Sequence, residues 1–460
     1  MPSPFETTPT SAAIPIIFAT KSTWEAIRAD LPEPARQFAA ASGFSAKPGS
    51  CLTLPTAEGR IGQVLFGLED ENGKSRDPFR AGALPGLLPA GVYRFANAPH
   101  DPRLATLAFA LGCYRFGRYR MADALDVRLV PPEGVDTADI ARMADAAVLA
   151  RDLINTPAND MGPAELADAA KHVAARHGAR FSCIVGEELV RANFPLVHAV
   201  GMASTRAPRL IDFSWGDPAH PKVTLVGKGV CFDSGGLDLK PASGMRLMKK
   251  DKAGAAIMLA LAQAIIDAGL DVRLRVLLPL VENSVSGDAM RPLDIIRTRN
   301  GLTVEIGNTD AEGRLILCDA IAEAASESPV ALIDIATLTG AARVALGPDL
   351  AALFCNDEPL AAGLLEAAAA EDDPMWRMPL WRPYRKLLDS KVADLNNVSE
   401  SPHAGAVTAA LYLQEFVPPK IAWAHLDAFA WNPQARPGRP EGAEASALRA
   451  LYAYLAQRFG

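Results

Sequence analysis

Two carboxylates and a guanidinium stand close together in the stretch 308–315, which reads Asn-Thr-Asp-Ala-Glu-Gly-Arg-Leu. A β-rich run at 303–306 precedes it and a helix-like run follows, so Asp310, Glu312 and Arg314 fall on a strand-to-helix loop. Open α/β sheets bind their ligands in such loops, at the carboxyl ends of the strands. In isolation the same residues would also fit a solvated surface loop, so this stretch does not decide the chemistry alone.

A second charged stretch, 223–251, lies upstream. It begins as an apolar strand and continues through Lys228, Asp233, Lys240 and Asp251. Carboxylates that are desolvated together repel one another and take up protons unless cations neutralise them. Either lysine and arginine side chains supply that positive charge, or metal ions supply most of it.

Four carboxylates from the two stretches would balance two divalent cations if they converged: Asp233, Asp251, Asp310 and Glu312. Two-metal hydrolases use such a pair to lower the pKa of a bound water and to hold both the attacked carbonyl and the new oxyanion. Oxygen-rich ligation suits Zn²⁺, Mn²⁺ or Mg²⁺. The residues alone would give Lys228 a structural or phosphate-binding role.

Two familiar catalytic motifs are not present. A P-loop needs a glycine four residues before the Gly-Lys pair and Ser or Thr after it, whereas here a strand precedes Lys228 and Gly229 follows it. The zincin pattern H-E-x-x-H does not occur, and none of the seven histidines pairs with another at ligand spacing. Nucleotide hydrolysis and histidine-ligated zinc chemistry are therefore not expected.

Five short stretches carry a resemblance to a known family: Val226-Gly-Lys-Gly, Phe232-Asp-Ser-Gly-Gly-Leu, Asp238-Leu-Lys-Pro, Met248-Lys-x-Asp and Asn308-Thr-Asp-Ala-Glu-Gly-Arg-Leu. They resemble the leucine aminopeptidase (cytosol aminopeptidase) family of two-metal exopeptidases. Shorter matches, such as Trp423-Ala-His-Leu-Asp, extend the resemblance over about residues 150–430. The resemblance implies a metal-dependent aminopeptidase that hydrolyses the N-terminal residue from short peptides through a two-metal-bound hydroxide.

The resemblance also implies which residues hold the two ions, Zn²⁺ or Mn²⁺. Lys228 would ligate the more loosely held metal together with Asp233, Asp251 and Glu312, and the other metal would be held by Asp233, Asp310 and Glu312. A lysine can ligate only as the neutral amine, which requires its pKa to be lowered by burial and an adjacent dication.

Lys240 and Arg314 remain as cations beside this cluster. Such cations can stabilise the charge that develops in a tetrahedral intermediate. By resemblance, Lys240 polarises the scissile carbonyl and Arg314 holds a bicarbonate that shuttles the proton, which would explain why no histidine is needed as general base. The alternative for Arg314 is a simple ion pair with a carboxylate.

For the substrate, the family pattern places Met248 and Thr337 at the mouth of an apolar pocket and main-chain groups of Leu338 and Gly340 along the peptide. Met248 would equally suit an ordinary core position. The free N-terminal amine of the peptide would ligate a metal, which restricts the enzyme to exo-cleavage. A homohexamer is implied by the resemblance alone.

The chain departs from the family pattern at two places. After Asp251 an apolar residue is usual, and here Lys252 could swing outward or compete electrostatically with the looser metal. After Trp423-Ala-His-Leu-Asp the chain continues with Ala-Phe429-Ala-Trp431, so two aromatic side chains could reshape the specificity pocket.

The elements that must position these residues alternate between strands and helices. Apolar strands are predicted at 180–185, 223–230, 273–281, 330–336 and 421–426, and helices at 163–177, 254–268, 315–326, 359–371 and 406–416. Fully apolar strands between helices indicate an α/β fold with a mainly parallel, mixed sheet sandwiched between helices. The Ala- and Gly-rich helix at 254–268 should pack close to that sheet.

The length of 460 residues favours two domains. Strands at 12–19 and 61–68, a helix at 104–116 and a loop region at 80–91 indicate a small N-terminal α/β domain over 1–135, without a titratable cluster that would suggest catalysis. A helix and linker at 136–160 would connect it to a catalytic domain at 161–460.

Composition excludes several classes of partner. The net charge of −7 without a basic block argues against nucleic acid and against an anionic membrane surface. Six widely spaced cysteines indicate buried free thiols in a reducing compartment. No signal peptide or long apolar run is visible, so a soluble cytoplasmic protein is expected.

Two other functions stay open at this point. Some relatives of the family also bind DNA, but the acidic chain lacks a basic stripe. A different two-metal hydrolase, such as a phosphoesterase, is disfavoured by histidine-poor ligation that includes a lysine.

Overall fold

The computed structural model describes residues 3–6, 12–73, 76–120 and 125–460. The chain divides into two compact units, one formed by Met1–Val148 and Gln434–Glu441 and the other by Leu149–Pro433 and Gly442–Gly460. Both units combine strands and helices, so the two-domain α/β architecture predicted from the sequence is confirmed.

The first unit contains, in its described residues, a five-stranded sheet with the strand order β2-β3-β1-β4-β5. All neighbouring pairs run parallel except β2 with β3. The elements are β1 Ile14–Ala19, α1 Trp24–Asp30, α2 Glu33–Ala41, β2 Cys51–Pro55, β3 Ile61–Gly67, a 3-10 helix at Arg80–Ala83, α3 Leu84–Leu87, β4 Gly91–Phe95, α4 Pro102–Gly112, β5 Val127–Val130 and α5 Thr137–Asn155, which runs past Val148.

The loop predicted at 80–91 is wrong, because a 3-10 helix and α3 occupy most of it. The glycines and prolines there suggested a loop. Pro85, however, lies in the first turn of α3, where a proline has no hydrogen bond to lose and its fixed φ suits a helix.

The second unit contains, among the residues described, a nine-stranded mixed sheet in the order β15-β14-β17-β13-β8-β10-β7-β6, with β9 also paired to β10. Its centre, β17-β13-β8-β10, is parallel, while β14, β7 and β6 add antiparallel pairs. The strands are β6 Arg180–Val185, β7 Arg209–Trp215, β8 Lys222–Gly227, β9 Gly229–Asp233, β10 Arg273–Asn283, β11 Ile295–Arg297, β12 Thr303–Glu305, β13 Ala331–Ala336, β14 Ala351–Cys355, β15 Met375–Arg377, β16 Leu395–Asn396, β17 Trp423–Asp427, β18 Trp431–Asn432 and β19 Gly442–Ala443.

Helices pack against this sheet, as the alternating pattern predicts. The helices of this unit are α6 Pro163–Arg176, α7 Glu188–Arg191, α8 Pro195–Gly201, α9 Ala242–Met245, α10 Ala253–Ala268, α11 Glu312–Ser326, α12 Gly340–Leu346, α13 Glu358–Ala370, α14 Gly405–Gln414 and α15 Leu448–Phe459, with 3-10 helices at Met248–Lys252 and Arg382–Leu388. No helix within the described ranges has the length and apolar character needed to cross a membrane.

The contact between α10 and the sheet is as close as its composition predicts. A Cβ added at Gly254 would lie 2.2 Å from the carbonyl oxygen of Ile335 in β13. Nearly every residue of α10 is buried, as expected of a helix that is apolar on all sides.

The single strand predicted at 223–230 is interrupted at Lys228, between β8 and β9. The backbone N–H of Lys228 donates to Ile335 in β13 (3.1 Å), and its carbonyl accepts from Ala255 in α10 (2.7 Å). An apolar run gives no signal for such a break. Its effect is to place Lys228 at the carboxyl end of β8, where the crevice of an open α/β sheet lies.

All six cysteines are free thiols. Cys231, Cys318 and Cys355 are buried as predicted, whereas Cys51 and two others are only half-buried.

Candidate active site

A cleft of about 290 Å³ gathers most of the residues that the sequence singled out. Ten of the eleven predicted site residues line it: Lys228, Asp233, Lys240, Met248, Asp251, Asp310, Glu312, Thr337, Leu338 and Gly340. Two stretches separated by more than fifty residues therefore meet at one place, and Met248 lies at this cleft and not in a core.

Three carboxylates form the centre of the cleft. Asp233, Asp310 and Glu312 each offer an oxygen, and these oxygens all lie within 4.8 Å of one another. Burial, and then the charge of Asp233, raises the pKa of Glu312 to about 8 and the pKa of Asp310 to about 6. Desolvated carboxylates held this close either take up protons or bind cations.

Lys228 lies against the same centre and is only 2% exposed. Its Nζ is 2.8 Å from Oδ2 of Asp251 and 2.9 Å from Oε1 of Glu312, and it donates to the carbonyl of Thr337 at 3.0 Å. Burial acts to lower the pKa of Lys228, but Asp251 and Glu312 outweigh it and raise the pKa above the ordinary value.

Lys240 is the second cation of the cluster. Its Nζ lies 2.7 Å from Oδ2 of Asp233 and also contacts Asp310. Burial acts to lower its pKa, and the charge of Asp233 together with hydrogen bonds to both carboxylates raises the pKa above the ordinary value.

The donor set fits divalent cations. The buried oxygens Oδ2 of Asp251 and Oε1 of Glu312 both contact the ammonium of Lys228, and the buried Oδ1 of Asp310 contacts that of Lys240. Four carboxylates face two ammonium groups, so two negative charges are left over. Buried carboxylate oxygens in a cluster with excess negative charge are the ligands that Zn²⁺, Mn²⁺ and Mg²⁺ bind.

Neighbouring residues hold the carboxylates in place. The chain turns after β9 at Gly235, whose φ of +92° suits glycine and where a Cβ would lie 2.5 Å from the carbonyl oxygen of Asp238. Nδ2 of Asn283 donates to Oδ1 of Asp233 at 2.9 Å, and Oγ1 of Thr337 donates to Oδ1 of Asp251 at 2.6 Å.

Sequence reasoning missed three of the residues that support the site. Asn283 ends β10 without a motif around it, and Asn397 follows the short strand β16. Asp427 accepts from the N–H groups of Leu338 (2.9 Å) and Thr339 (3.2 Å) and lines the cleft. A signal was present only for Asp427, because it ends the apolar strand β17 and the stretch Trp423-Ala-His-Leu-Asp.

Arg314 is the one predicted site residue that does not line the cleft. It is 7% exposed, and its NH1 group donates to the carbonyl of Asn397 at 2.6 Å. Among the residues described, no carboxylate forms an ion pair with it, so the alternative of a simple ion pair is wrong. Its Nε is buried and donates to no described residue, so this N–H is available to an anion.

The charged segment is the 3-10 helix Met248–Lys252. Its side chains contact different parts of the protein. Lys249 donates to the carbonyl of Asn155 and Lys252 to that of Thr156, both at 2.7 Å. Lys252 is fully buried, and burial lowers its pKa to about 8. The expectation that Lys252 swings outward is wrong, and its ammonium is bound to Thr156 at the end of α5 and not to the carboxylate cluster.

The two aromatic residues that follow β17 differ in position. Phe429 lines the cleft, whereas Trp431 does not and lies with its ring centroid 5.4 Å from Nζ of Lys249. Of the two departures at this point, Phe429 is therefore the one that shapes the cleft.

Comparison with known proteins places these features in a family. The family model for the catalytic domain of the cytosol aminopeptidase family matches residues 148–452, and the model for the N-terminal domain of M17 aminopeptidases matches residues 15–132. The probable cytosol aminopeptidase of Geobacter sulfurreducens is 39% identical over 420 residues, covering 85% of this chain and 84% of the relative.

Solved structures agree with this result. The cytosol aminopeptidase from Coxiella burnetii is 46% identical and superposes with a TM-score of 0.95, over 99% of this chain and 100% of that one. The bottromycin maturation enzyme BotP, solved in complex with Mn, is 34% identical with a TM-score of 0.87, over 97% of this chain and 100% of that one.

Proposed function

The chain belongs to the cytosol aminopeptidase family, and from that premise we propose that this aminopeptidase removes the N-terminal residue of short peptides with two divalent metal ions. The observation that carries the proposal is the buried carboxylate cluster, in which four carboxylates face only two ammonium groups. The residues that would hold the ions are Lys228, Asp233, Asp251, Asp310 and Glu312.

When bound, the metal ions would supply Lewis acidity and an activated water at the scissile bond. Manganese is a candidate because BotP was solved in complex with Mn, and zinc suits the same oxygen ligands. Lys228 is held between Asp251 and Glu312, so it can act as a ligand only after a dication displaces its proton.

The remaining residues of the cleft would act on the peptide. Lys240 reaches into the cluster from a half-buried position and can place its positive charge beside the carbonyl under attack. The N–H of Leu338 is already committed to Asp427, so at this residue the peptide would meet the carbonyl. Met248 and Thr337 would line the path of the first side chain, and main-chain groups of Gly340 would lie along the peptide.

Arg314 would bind bicarbonate next to the cluster. Its NH1 is held by Asn397, while its buried Nε keeps a free donor. A buried guanidinium with a free donor and no carboxylate partner is suited to a small oxyanion. A homohexamer and a cytoplasmic location complete the proposal; sedimentation velocity and fractionation of the producing cells would test them.

The experiment is hydrolysis of aminoacyl-p-nitroanilides by metal-free enzyme reconstituted separately with Zn²⁺ and with Mn²⁺. We expect metal-dependent release from substrates with a free amine and none from N-acetylated controls. Glu312→Ala should abolish it, whereas Glu366→Ala, at an exposed position of α13, should not. A folded protein that binds both metals but cleaves no free-amine substrate would refute the proposal.

A further inference from the structure

Phe429 brings two cations to the cleft. Nζ of Lys250 lies 4.6 Å from the centroid of its ring, and the guanidinium carbon of Arg343 lies 5.1 Å from the same centroid. All three residues line the cleft that holds the carboxylate cluster. A ring attracts a cation through its quadrupole but carries no net charge, so both positive charges remain unneutralised beside the cleft.

Lys250 differs from the other lysines near the site in having no oxygen partner. Lys228 and Lys240 each contact two carboxylates, and Lys249 and Lys252 each donate to a backbone carbonyl. Lys250 is only 4% exposed, yet its Nζ makes no hydrogen bond or ion pair with the part of the chain that the structure describes. A buried ammonium without an anion is costly.

The neighbouring carboxylates are committed elsewhere. Asp251 binds Lys228 and Thr337, and Asp427 accepts from the N–H of Leu338 and from Thr339. Arg343 is exposed on α12, and within the described ranges it too forms no ion pair. The protein therefore presents two cations, one buried and one exposed, without supplying their counter-ion.

We propose that Lys250 and Arg343 select peptides whose N-terminal residue is aspartate or glutamate. The inference rests on the proposed function, because it assigns the substrate class of the same cleft. A substrate carboxylate would provide the anion that Lys250 lacks and would also reach Arg343. An N-terminal Lys or Arg would meet like charge, and an apolar side chain would leave the buried ammonium unpaired.

The test compares Glu and Gln, which have the same shape and differ in charge. Values of kcat/KM would be measured for the α-p-nitroanilides of Glu, Gln, Phe and Lys with the Mn²⁺-loaded enzyme. We expect a Glu/Gln ratio of about tenfold or more, the effect of one charge-assisted contact, with Lys the poorest substrate. Lys250→Gln should bring the ratio close to one, Arg343→Gln should reduce it, and Lys250→Arg should retain it.

Lys420→Gln is the matched control, since Lys420 is exposed and does not line the cleft; its ratio should equal that of the unaltered enzyme. A Glu/Gln ratio of one or less, or a ratio that Lys250→Gln leaves unchanged, would overturn the inference. A preference for Phe over Glu would also overturn it, because the Phe429 ring would then serve apolar recognition. Calorimetric titration of the Mn²⁺-loaded protein with L-glutamate and, separately, with L-glutamine tests the specificity of the pocket independently of cleavage. If no substrate is cleaved, the proposed function fails. Tighter binding of L-glutamate than of L-glutamine would still support selection of an acidic side chain, and equal binding would overturn it.

Discussion

Replacing Gly313 by alanine should weaken metal binding without unfolding the protein. A Cβ at Gly313 would lie 2.8 Å from the Cδ, Cε and Nζ atoms of Lys228. Ordinary van der Waals contact begins at 3.4 Å, so the lysine would have to retreat by about 0.6 Å. Its ammonium is held by Asp251, Glu312 and Thr337 at 2.8 to 3.0 Å, and a retreat disturbs all three contacts.

Forcing one methyl group into a packed site costs about 1–3 kcal/mol. If most of that cost falls on the metal-loaded state, the Kd for Mn²⁺ should rise by about ten- to a hundredfold. The measurements are calorimetric titration of the metal-free protein with Mn²⁺ and kcat/KM on one aminoacyl-p-nitroanilide. The affinity for Mn²⁺ and the kcat/KM of Gly313→Ala should fall together.

Gly363→Ala is the matched control. Gly363 also lies in a helix, and its added Cβ would meet a side chain, Cε2 of Tyr454, at 2.5 Å, but Gly363 does not line the cleft. This variant should lose thermal stability and keep its affinity for Mn²⁺. Wild-type affinity and rate in Gly313→Ala would refute the reasoning, because Lys228 would then yield without cost.

Three further predictions concern stability and reactivity. Gly254→Ala should lower the free energy of unfolding in urea by about 3 kcal/mol or more, because its Cβ would lie 2.2 Å from the backbone oxygen of Ile335, which cannot rotate away; an unchanged urea midpoint would contradict this. Burial raises the pKa of Cys113 and Cys231 to about 12, so mass spectrometry should find both unmodified by iodoacetamide at pH 8 until urea is added; rapid labelling of the native protein would be inconsistent with the raised pKa of these thiols. Burial raises the pKa of Asp319 to about 7, so the folded protein keeps a proton that the unfolded chain loses, and the free energy of unfolding should fall as pH rises from 5 to 7, by up to about 1.4 kcal/mol per unit; Asp319→Asn should flatten that slope, and equal slopes would exclude the assignment.

The central sheet and the clustering of the site were predictable because they depend on local patterns. Apolar runs such as 273–281 and 330–336 marked the parallel strands β10 and β13, and charged loops after strands must meet at one edge of a parallel sheet. The antiparallel strand β7 was missed, because Arg209–Trp215 mixes polar and apolar residues.

Side-chain partners far apart in the chain could not be predicted. Lys252 finds its acceptor 96 residues away at Thr156, and Arg314 finds one 83 residues away at Asn397. Their directions depend on how separate elements pack, whereas the residue types indicate only that each cation needs a partner.

The charged segment allows evolution to change one property of this protein at a time. Lys249 and Lys252 are three residues apart, one turn of a 3-10 helix, so their side chains eclipse and both bind the end of α5. Asp251 belongs to the carboxylate cluster, and Lys250 is the residue of the segment that contacts Phe429. With the proposed role of Lys250, a lineage that keeps Lys249, Asp251 and Lys252 can exchange Lys250 alone, so that substrate preference would diverge while the carboxylate cluster is retained.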